Sequence, residues 1–431
     1  MSPFDRQAAS VRGRRAQVIR VASGNFVEMY DFMIFGYFAD AIARTFFPSG
    51  NPMTALLSAL ATFGAGFLMR PLGAIVLGIY TDRHGRRAGL ILTLLLMSIG
   101  IVTLTVTPSY LAIGAAAPLL VVAGRLVQGF SAGAELGNAS VFLSEIAPEG
   151  SKGLYVSWQS ASQQVAVMFA ATVGYLLAES LTAQQMADWG WRVPLGIGCV
   201  IIPLLLLLRR DLRETDVFLA RPRRPSAREI VAGLWAARAT VGLGLMLVLM
   251  TTVSFYTITA YTPTFGKLLH LPASGTLAIT ACVGLSNFLW LPIMGHLSDR
   301  IGRRPILIAA TLLAILTAYP ALSWLAADPS LTRLVIVELW LSALYASYNG
   351  AMVVYLTEIV PAEVRASGFS LAYSLATAIG GFTPFIVTWL ISVTGDRGIP
   401  GAWLSGAAVL SLAATLLTMH RARLQPAMSA S

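Results

Sequence analysis

Glu28 and Asp31 stand three residues apart inside one apolar stretch, and Arg70 and Arg125 each stand inside another. A carboxyl group takes up and releases a proton. A guanidinium stays charged in any protein environment and grips a carboxylate with two parallel hydrogen bonds. On a helix, positions three apart share adjoining parts of one face, and Asn25, one turn before Glu28, extends it. Counting from Arg20 at 1.5 Å per residue places Asp31 about 16 Å along such a helix, near the middle of a bilayer; Arg70 lies about 18 Å from Asp82. Ionised groups at that depth are costly and persist where they line a cavity or meet a partner. Burial disfavours a charged carboxyl and a nearby guanidinium favours it, so a motion that parts the two drives proton uptake. The candidate proton carriers are Asp31, Glu28 and Glu135, with Arg125 as a switchable partner. A fixed ion pair is the plainer reading of the same residues. His84, His270, His296 and His420 fall in loops or near the ends of apolar stretches and do not compete.

Such side chains need a frame of long apolar helices. The 431 residues are 56% hydrophobic and 12% charged, with mean hydropathy +0.72. A soluble domain carries about a quarter charged residues. Apolar runs at 18–42, 54–79, 88–107, 112–143, 154–182, 190–209, 239–265, 275–297, 304–327, 332–358, 366–394 and 400–420 are each long enough to span a bilayer. The expectation is an all-α membrane protein with twelve transmembrane helices in two six-helix bundles. The first run, holding Glu28 and Asp31, is too polar for a cleaved signal and should stay in the chain.

The net charge of +10 is placed as topology requires. Arg6, Arg12, Arg14, Arg15 and Arg20 precede the first run, and further arginines follow the second and eighth runs, fill the centre and end the chain at Arg421 and Arg423. If the runs alternate, these share one side, and the positive-inside rule puts both termini in the cytoplasm. That pattern argues against a nucleic-acid surface. The organisation expected is a tail at 1–17, a bundle at 18–209, a basic linker at 210–238 along anionic membrane lipids, a second bundle at 239–420 and a tail at 421–431. Cys199 and Cys282 lack the spacing of a disulfide or metal site and read as packed thiols.

One segment occurs twice. Gly78-Ile-Tyr-Thr-Asp82-Arg83-His-Gly85-Arg86-Arg87 returns as Gly295-His-Leu-Ser-Asp299-Arg300-Ile-Gly302-Arg303-Arg304, about half the chain later. Leu143-Ser-Glu145-Ile-Ala-Pro148 likewise returns as Leu356-Thr-Glu358-Ile-Val-Pro361. Self-similarity at that period in a membrane chain means a duplicated unit. Ion pairs among Asp82, Arg83, Arg86, Glu145, Asp299, Arg300, Arg303 and Glu358 would close one face, with Gly78 and Gly295 at the matching positions. Topology charge alone explains the arginines but not the paired glycine and aspartate. Gly129, Gly133 and Gly137 read as a close-packing stripe, and Gly380-Gly381 with Pro384 as a helix break.

The repeated G-x-x-x-D-R-x-G-R-R resembles the signature loop of the major facilitator superfamily. Gly24-Asn25-Phe26-Val27-Glu28-Met29-Tyr30-Asp31, Gly66-Phe67-Leu68-Met69-Arg70-Pro71 and Arg125-Leu-Val-Gln128-Gly129 narrow the resemblance to the metabolite–proton symporters. Trp158-Gln159-Ser160-Ala161-Ser162-Gln163-Gln164, Asn287-Phe-Leu-Trp290, Tyr348-Asn349-Gly350 and Phe369-to-Ala378 are most similar to the citrate and tricarballylate branch. Tyr30-Asp31 also resembles the Tyr-Asp pair of proton-coupled sugar porters. That likeness implies a proton site at Asp31 with Arg125 as its partner.

The resemblance implies import of a tricarboxylate with protons by alternating access, in a bacterial inner membrane. One chain supplies a complete pathway and no cofactor is needed. Candidate substrate contacts are Asn25, Arg70, Arg125, Gln128, Gln159, Ser160, Gln163, Tyr256, Tyr261, Asn287, Tyr348, Asn349, Ser374 and Thr377, whose donors suit a hydroxylated polycarboxylate. The nearest rival is another metabolite such as 2-oxoglutarate, shikimate or a zwitterionic osmolyte. A passive channel fits the paired gating loops poorly. An enzyme lacks a nucleophile–base pair or metal-spaced cluster within the runs.

Overall fold

The computed structural model describes residues 26–84, 86–133, 135–210, 227–361 and 364–428. The twelve long helical segments are α1 (Phe26–Tyr37 and Ala39–Phe46), α2 (Pro52–Leu68 and Arg70–His84), α3 (Arg86–Val106), α4 (Ala116–Ala132 and Glu135–Ile146), α5 (Lys152–Ser180) and α6 (Arg192–Arg210). The second half supplies α7 (Arg238–Ile258 and Thr262–Leu268), α8 (Ala273–Ile301), α9 (Arg303–Ala327), α10 (Leu331–Ile359), α11 (Arg365–Gly380 and Thr383–Thr394) and α12 (Ile399–Met428). A short helix, Ala227–Ala236, precedes α7. Among the described residues eight helices are long and apolar enough to cross a membrane by themselves, and Ile91–Val106 and Ala116–Ala132 are shorter apolar helices. Large apolar side chains face outward, among them Leu111, Val200 and Leu316, as a surface built for acyl chains requires.

The interruptions have local causes. In α7 the Tyr261 N–H reaches back to the Tyr256 carbonyl, and Pro263 has no N–H to offer, so the helix restarts at Thr262. In α11 the chain passes Gly381 and Phe382 before Pro384 occupies the first turn of the next segment, matching the break expected at Gly380-Gly381.

Close approach sets the position of the deep arginines. A Cβ on Gly129 of α4 would stand 1.5 Å from the Gly66 carbonyl oxygen of α2, so only glycine lets these backbones meet. That contact lies one turn from both Arg70 and Arg125.

The halves also meet each other. α5 runs beside α8 and α2 beside α11, and one continuous apolar core draws on both halves. At the end bearing the repeated loops, α5 and α8 touch backbone to backbone at Gly153 and Gly295. At the opposite end Lys267 of α7 lies 2.5 Å from Asp40 of α1, and Gly36 packs against Ala260. Both ends are shut, so the conformation is occluded.

Candidate functional site

α1 offers its two carboxylates to two different helices. Arg70 Nη2 of α2 donates to Glu28 Oε1 at 2.7 Å, and Arg125 Nη1 of α4 donates to Asp31 Oδ2 at 2.7 Å. Arg125 also reaches Gln128 Oε1, one turn along its own helix, at 2.6 Å. All four ionic groups are buried: Arg125 is 0% exposed, Asp31 2%, Arg70 3% and Glu28 4%.

Aromatic rings hold the two pairs together. The Phe32 ring centroid lies 4.9 Å from the Arg70 guanidinium carbon and 4.8 Å from that of Arg125. Phe67 takes Arg70 at 4.8 Å and Phe35 takes Arg125 at 4.2 Å. Each cation is thereby stabilised by a ring face as well as a carboxylate. Hydrogen-bonding capacity is left over, since Asp31 Oδ1, Arg70 Nε, Arg125 Nε and Nη2, and Gln128 Nε2 are buried with no hydrogen-bond partner among the described residues. Unsatisfied buried polar atoms are expensive. A site that keeps donors in reserve is suited to receive an anion.

Arg70 opens onto a small cavity between the halves. Its walls include Gln163 of α5, Thr252 and Tyr256 of α7, Tyr345 of α10, and Tyr373 and Thr377 of α11. Arg70, Gln163, Tyr256 and Thr377 were among the residues expected at a substrate site, and the structure brings them together. Thr252, Tyr345 and Tyr373 were not anticipated; hydroxyls in apolar helices gave no signal separating cavity wall from helix–helix contact. Gln159 Nε2 and both amide atoms of Asn349 are buried with no hydrogen-bond partner among the described residues, and Ser160 donates to Gln159 Oε1 at 3.1 Å. Ser374 is buried on α11.

Other expected contacts hold helices together. Tyr348 donates to the Leu247 carbonyl at 2.8 Å, joining α10 to α7, and the Tyr261 hydroxyl meets Thr388 of α11 at 3.1 Å. Asn287 of α8 donates to Gln164 of α5 at 3.3 Å and accepts from Ser342 of α10 at 2.8 Å, bridging the halves. Asn25 lies outside the described residues, as do the side chains of Asp82, Arg83, Arg86 and Glu135.

In the second copy of the repeated loop Asp299 and Arg303 are engaged. Asp299 accepts the N–H groups of Gly153 at 2.8 Å and Leu154 at 3.0 Å, capping α5 of the other half. Arg303 binds Asp299 at 2.7 Å and Glu358 at 3.2 Å, while Arg300 and Glu145 are exposed. The copies are unequal in packing. Gly295 presses on Gly153, whereas a Cβ on Gly78 would meet no described atom within 4 Å.

Two six-helix halves, closed at both ends over buried charge pairs and a polar cavity, define a secondary transporter of the major facilitator class. The chain matches the sugar (and other) transporter family over residues 17–235 and again over 223–420, one match per half, and belongs to that family. It is 54% identical over 416 residues to the citrate-proton symporter of Salmonella typhi, covering 96% of each chain. To the citrate-proton symporter of Klebsiella pneumoniae it is 54% identical over 422 residues, covering 97% of this chain and 95% of that one. The xylose transporter of E. coli in a partially occluded inward-open conformation has the same fold, with TM-score 0.75 at 19% identity over 94% of this chain and 96% of that one. Family and relatives alike make the chain a membrane transporter and not an enzyme.

Proposed function

We propose that the chain imports citrate, or a tricarboxylate close to it, together with protons by alternating access. The observation that carries the reading is the double pair on α1, in which two buried guanidiniums are each held by a carboxylate that can be neutralised. The citrate-proton symporters at 54% identity supply the substrate class.

Asp31 is the proton carrier. While ionised it holds Arg125; once protonated it releases a guanidinium whose Nε and Nη2 already lack partners, and that fork takes a substrate carboxylate. Arg70 grips a second carboxylate from the cavity wall, with Glu28 competing for it when the site is empty. Glu135 is the third carboxylate of the first half that competes for the proton role. The hydroxyls of Tyr256, Tyr345, Tyr373 and Thr377 suit the remaining oxygens of a hydroxylated acid. Each charge moved across 100 mV is worth about 2.3 kcal/mol. For an inside-negative potential to favour import, proton charge must therefore exceed substrate charge.

The repeated-loop face is cytoplasmic, with both termini there, in a bacterial inner membrane. The bundles at 18–209 and 239–420 rock about the cavity, joined by the basic segment at 210–238 lying on anionic lipid, and one chain is a working unit. Asp299, Arg303 and Glu358 lock the cytoplasmic face, and the Lys267–Asp40 pair the outer one.

Radiolabelled citrate uptake in proteoliposomes, with and without an inward proton gradient, tests the proposal. Concentrative uptake only with the gradient is expected. Folded protein that takes up 2-oxoglutarate or an osmolyte and ignores citrate would overturn the substrate.

A further inference from the structure

The second half holds a buried carboxylate that the double pair on α1 does not involve. Glu338 lies on α10, 3% exposed, about 10 Å from the start of that helix at Leu331. Among the described residues no lysine, arginine or histidine stands within ion-pair reach of it. Its Oε1 accepts from the Thr262 hydroxyl at 2.8 Å, and its Oε2 has no hydrogen-bond partner among the described residues. Neighbouring elements bring ionisable groups to this half of the bundle: Tyr256, Tyr261 and Lys267 on α7, Cys282 on α8, Tyr319 on α9 and Tyr373 on α11, with Arg333 and Tyr345 on α10 itself. Of these, Lys267 is held by Asp40, Arg333 by Asp328, Tyr261 by Thr388 and Tyr319 by Asp396; none hydrogen-bonds to Glu338. A buried carboxylate with one neutral donor and no cation is stable only when neutral.

Its partner sits at the break in α7. The Tyr261 N–H turns back to Tyr256, and the Thr262 hydroxyl lies 3.4 Å from the Thr257 carbonyl as well as against Glu338. Thr262 thus ties the restart of α7 to α10, at the end where Lys267 meets Asp40 across the halves. One turn further along α10, Ser342 continues to Asn287 and, through it, to Gln164 of the other half.

We propose that Glu338 is a second proton site, separate from the α1–α4 pair, and that its proton keeps the outer segment of α7 seated on α10. With the proton on the carboxyl, the group is neutral and the occluded packing holds. In the outward-open state the carboxylate is charged and hydrated, and it takes its proton from water on the outer side, which lets the outer segment of α7 seat on α10. The proton leaves to water on the cytoplasmic side once the opposite face opens, so each cycle carries it inward. The charge then left without a cation unseats the outer segment of α7 as the empty carrier returns. Two proton sites in different halves also meet the demand that more than one proton accompany a polyvalent anion. The inference rests on the proton-coupled reading above.

The test is the proton-to-citrate ratio, read as a reversal potential in proteoliposomes, for wild type, Glu338→Gln and Glu338→Asp. Glu338→Gln is expected to keep citrate counterflow within about twofold of wild type and to lose one proton from the ratio, which Glu338→Asp restores. An unchanged ratio in folded Glu338→Gln overturns the proposal. If Glu338→Gln does not fold, infrared difference spectra between high and low pH take its place. A protonated-carboxyl band that shifts in Glu338→Asp supports the site, and an unshifted spectrum overturns it. A wild type showing no proton coupling would instead sink the symport reading, leaving the infrared result to judge Glu338 by itself.

Discussion

Asp299, at the end of α8 in the second half, accepts the backbone N–H of Gly153 at the start of α5 in the first half, at 2.8 Å. A side chain of one half is therefore the helix cap of the other, and the cap exists only while this face is shut. Losing an N-cap costs about 0.5–2 kcal/mol, roughly a two- to thirtyfold shift of an equilibrium. Asp299→Ala is expected to shift the resting population by that factor toward the state open at the repeated-loop face, measured by labelling single cysteines placed along α5 and α8. Labelling identical to wild type would mean that the cap does not bias the gate.

The glycines of the repeated loops are alike in sequence and unlike in packing. Gly295→Ala would place a Cβ 2.5 Å from the Gly153 carbonyl oxygen, so closure of that face should fail and uptake should fall by at least tenfold. Gly78→Ala meets no described atom and should transport within about twofold of wild type. Equal losses in the two variants would contradict the asymmetry.

The Asp31–Arg125 pair is buried, so removing one partner leaves the other uncompensated at a cost of about 3–5 kcal/mol. Arg125→Ala should markedly lower the thermal midpoint in detergent, and adding Asp31→Asn should recover part of the loss. A double variant no more stable than Arg125→Ala would show that the pair is not coupled in this way.

The outer latch is a different case, because Lys267 and Asp40 are 52% and 39% exposed and Arg44 shares the aspartate at 3.1 Å. Exposed pairs are worth about 0–1 kcal/mol, so Lys267→Ala should change uptake by less than about fivefold. The difference should shrink as salt rises. An abolished uptake at any ionic strength would give Lys267 a role beyond the latch.

The deep charges of the first half were legible because each interrupts an apolar run, and the Tyr30-Asp31 likeness joined Asp31 to Arg125 before any contact was visible. The partner of Arg70 was not legible: nothing in the sequence joined it to Glu28 on another helix, and only the packing of α1 against α2 sets the two 2.7 Å apart. Glu338 interrupts the run at 332–358 as plainly as Asp31 interrupts the first. It went unread because it matches no motif and its nearest charged neighbour in sequence, Arg333, stands at the very start of the run. The cavity wall was half legible. Gln163 and Thr377 sit in polar stretches, whereas Tyr345 and Tyr373 look like core aromatics until α7, α10 and α11 converge on Arg70.

The most direct measurement is radiolabelled citrate transport by Asp31→Asn in proteoliposomes, comparing uptake driven by a proton gradient with citrate–citrate exchange at equal pH. Removing the titratable group while keeping its shape should sharply lower concentrative uptake, leaving only what a second proton site supports, and keep exchange within about tenfold of wild type. Concentrative uptake undiminished in Asp31→Asn would contradict the account and move the proton of the first half to Glu28 or Glu135.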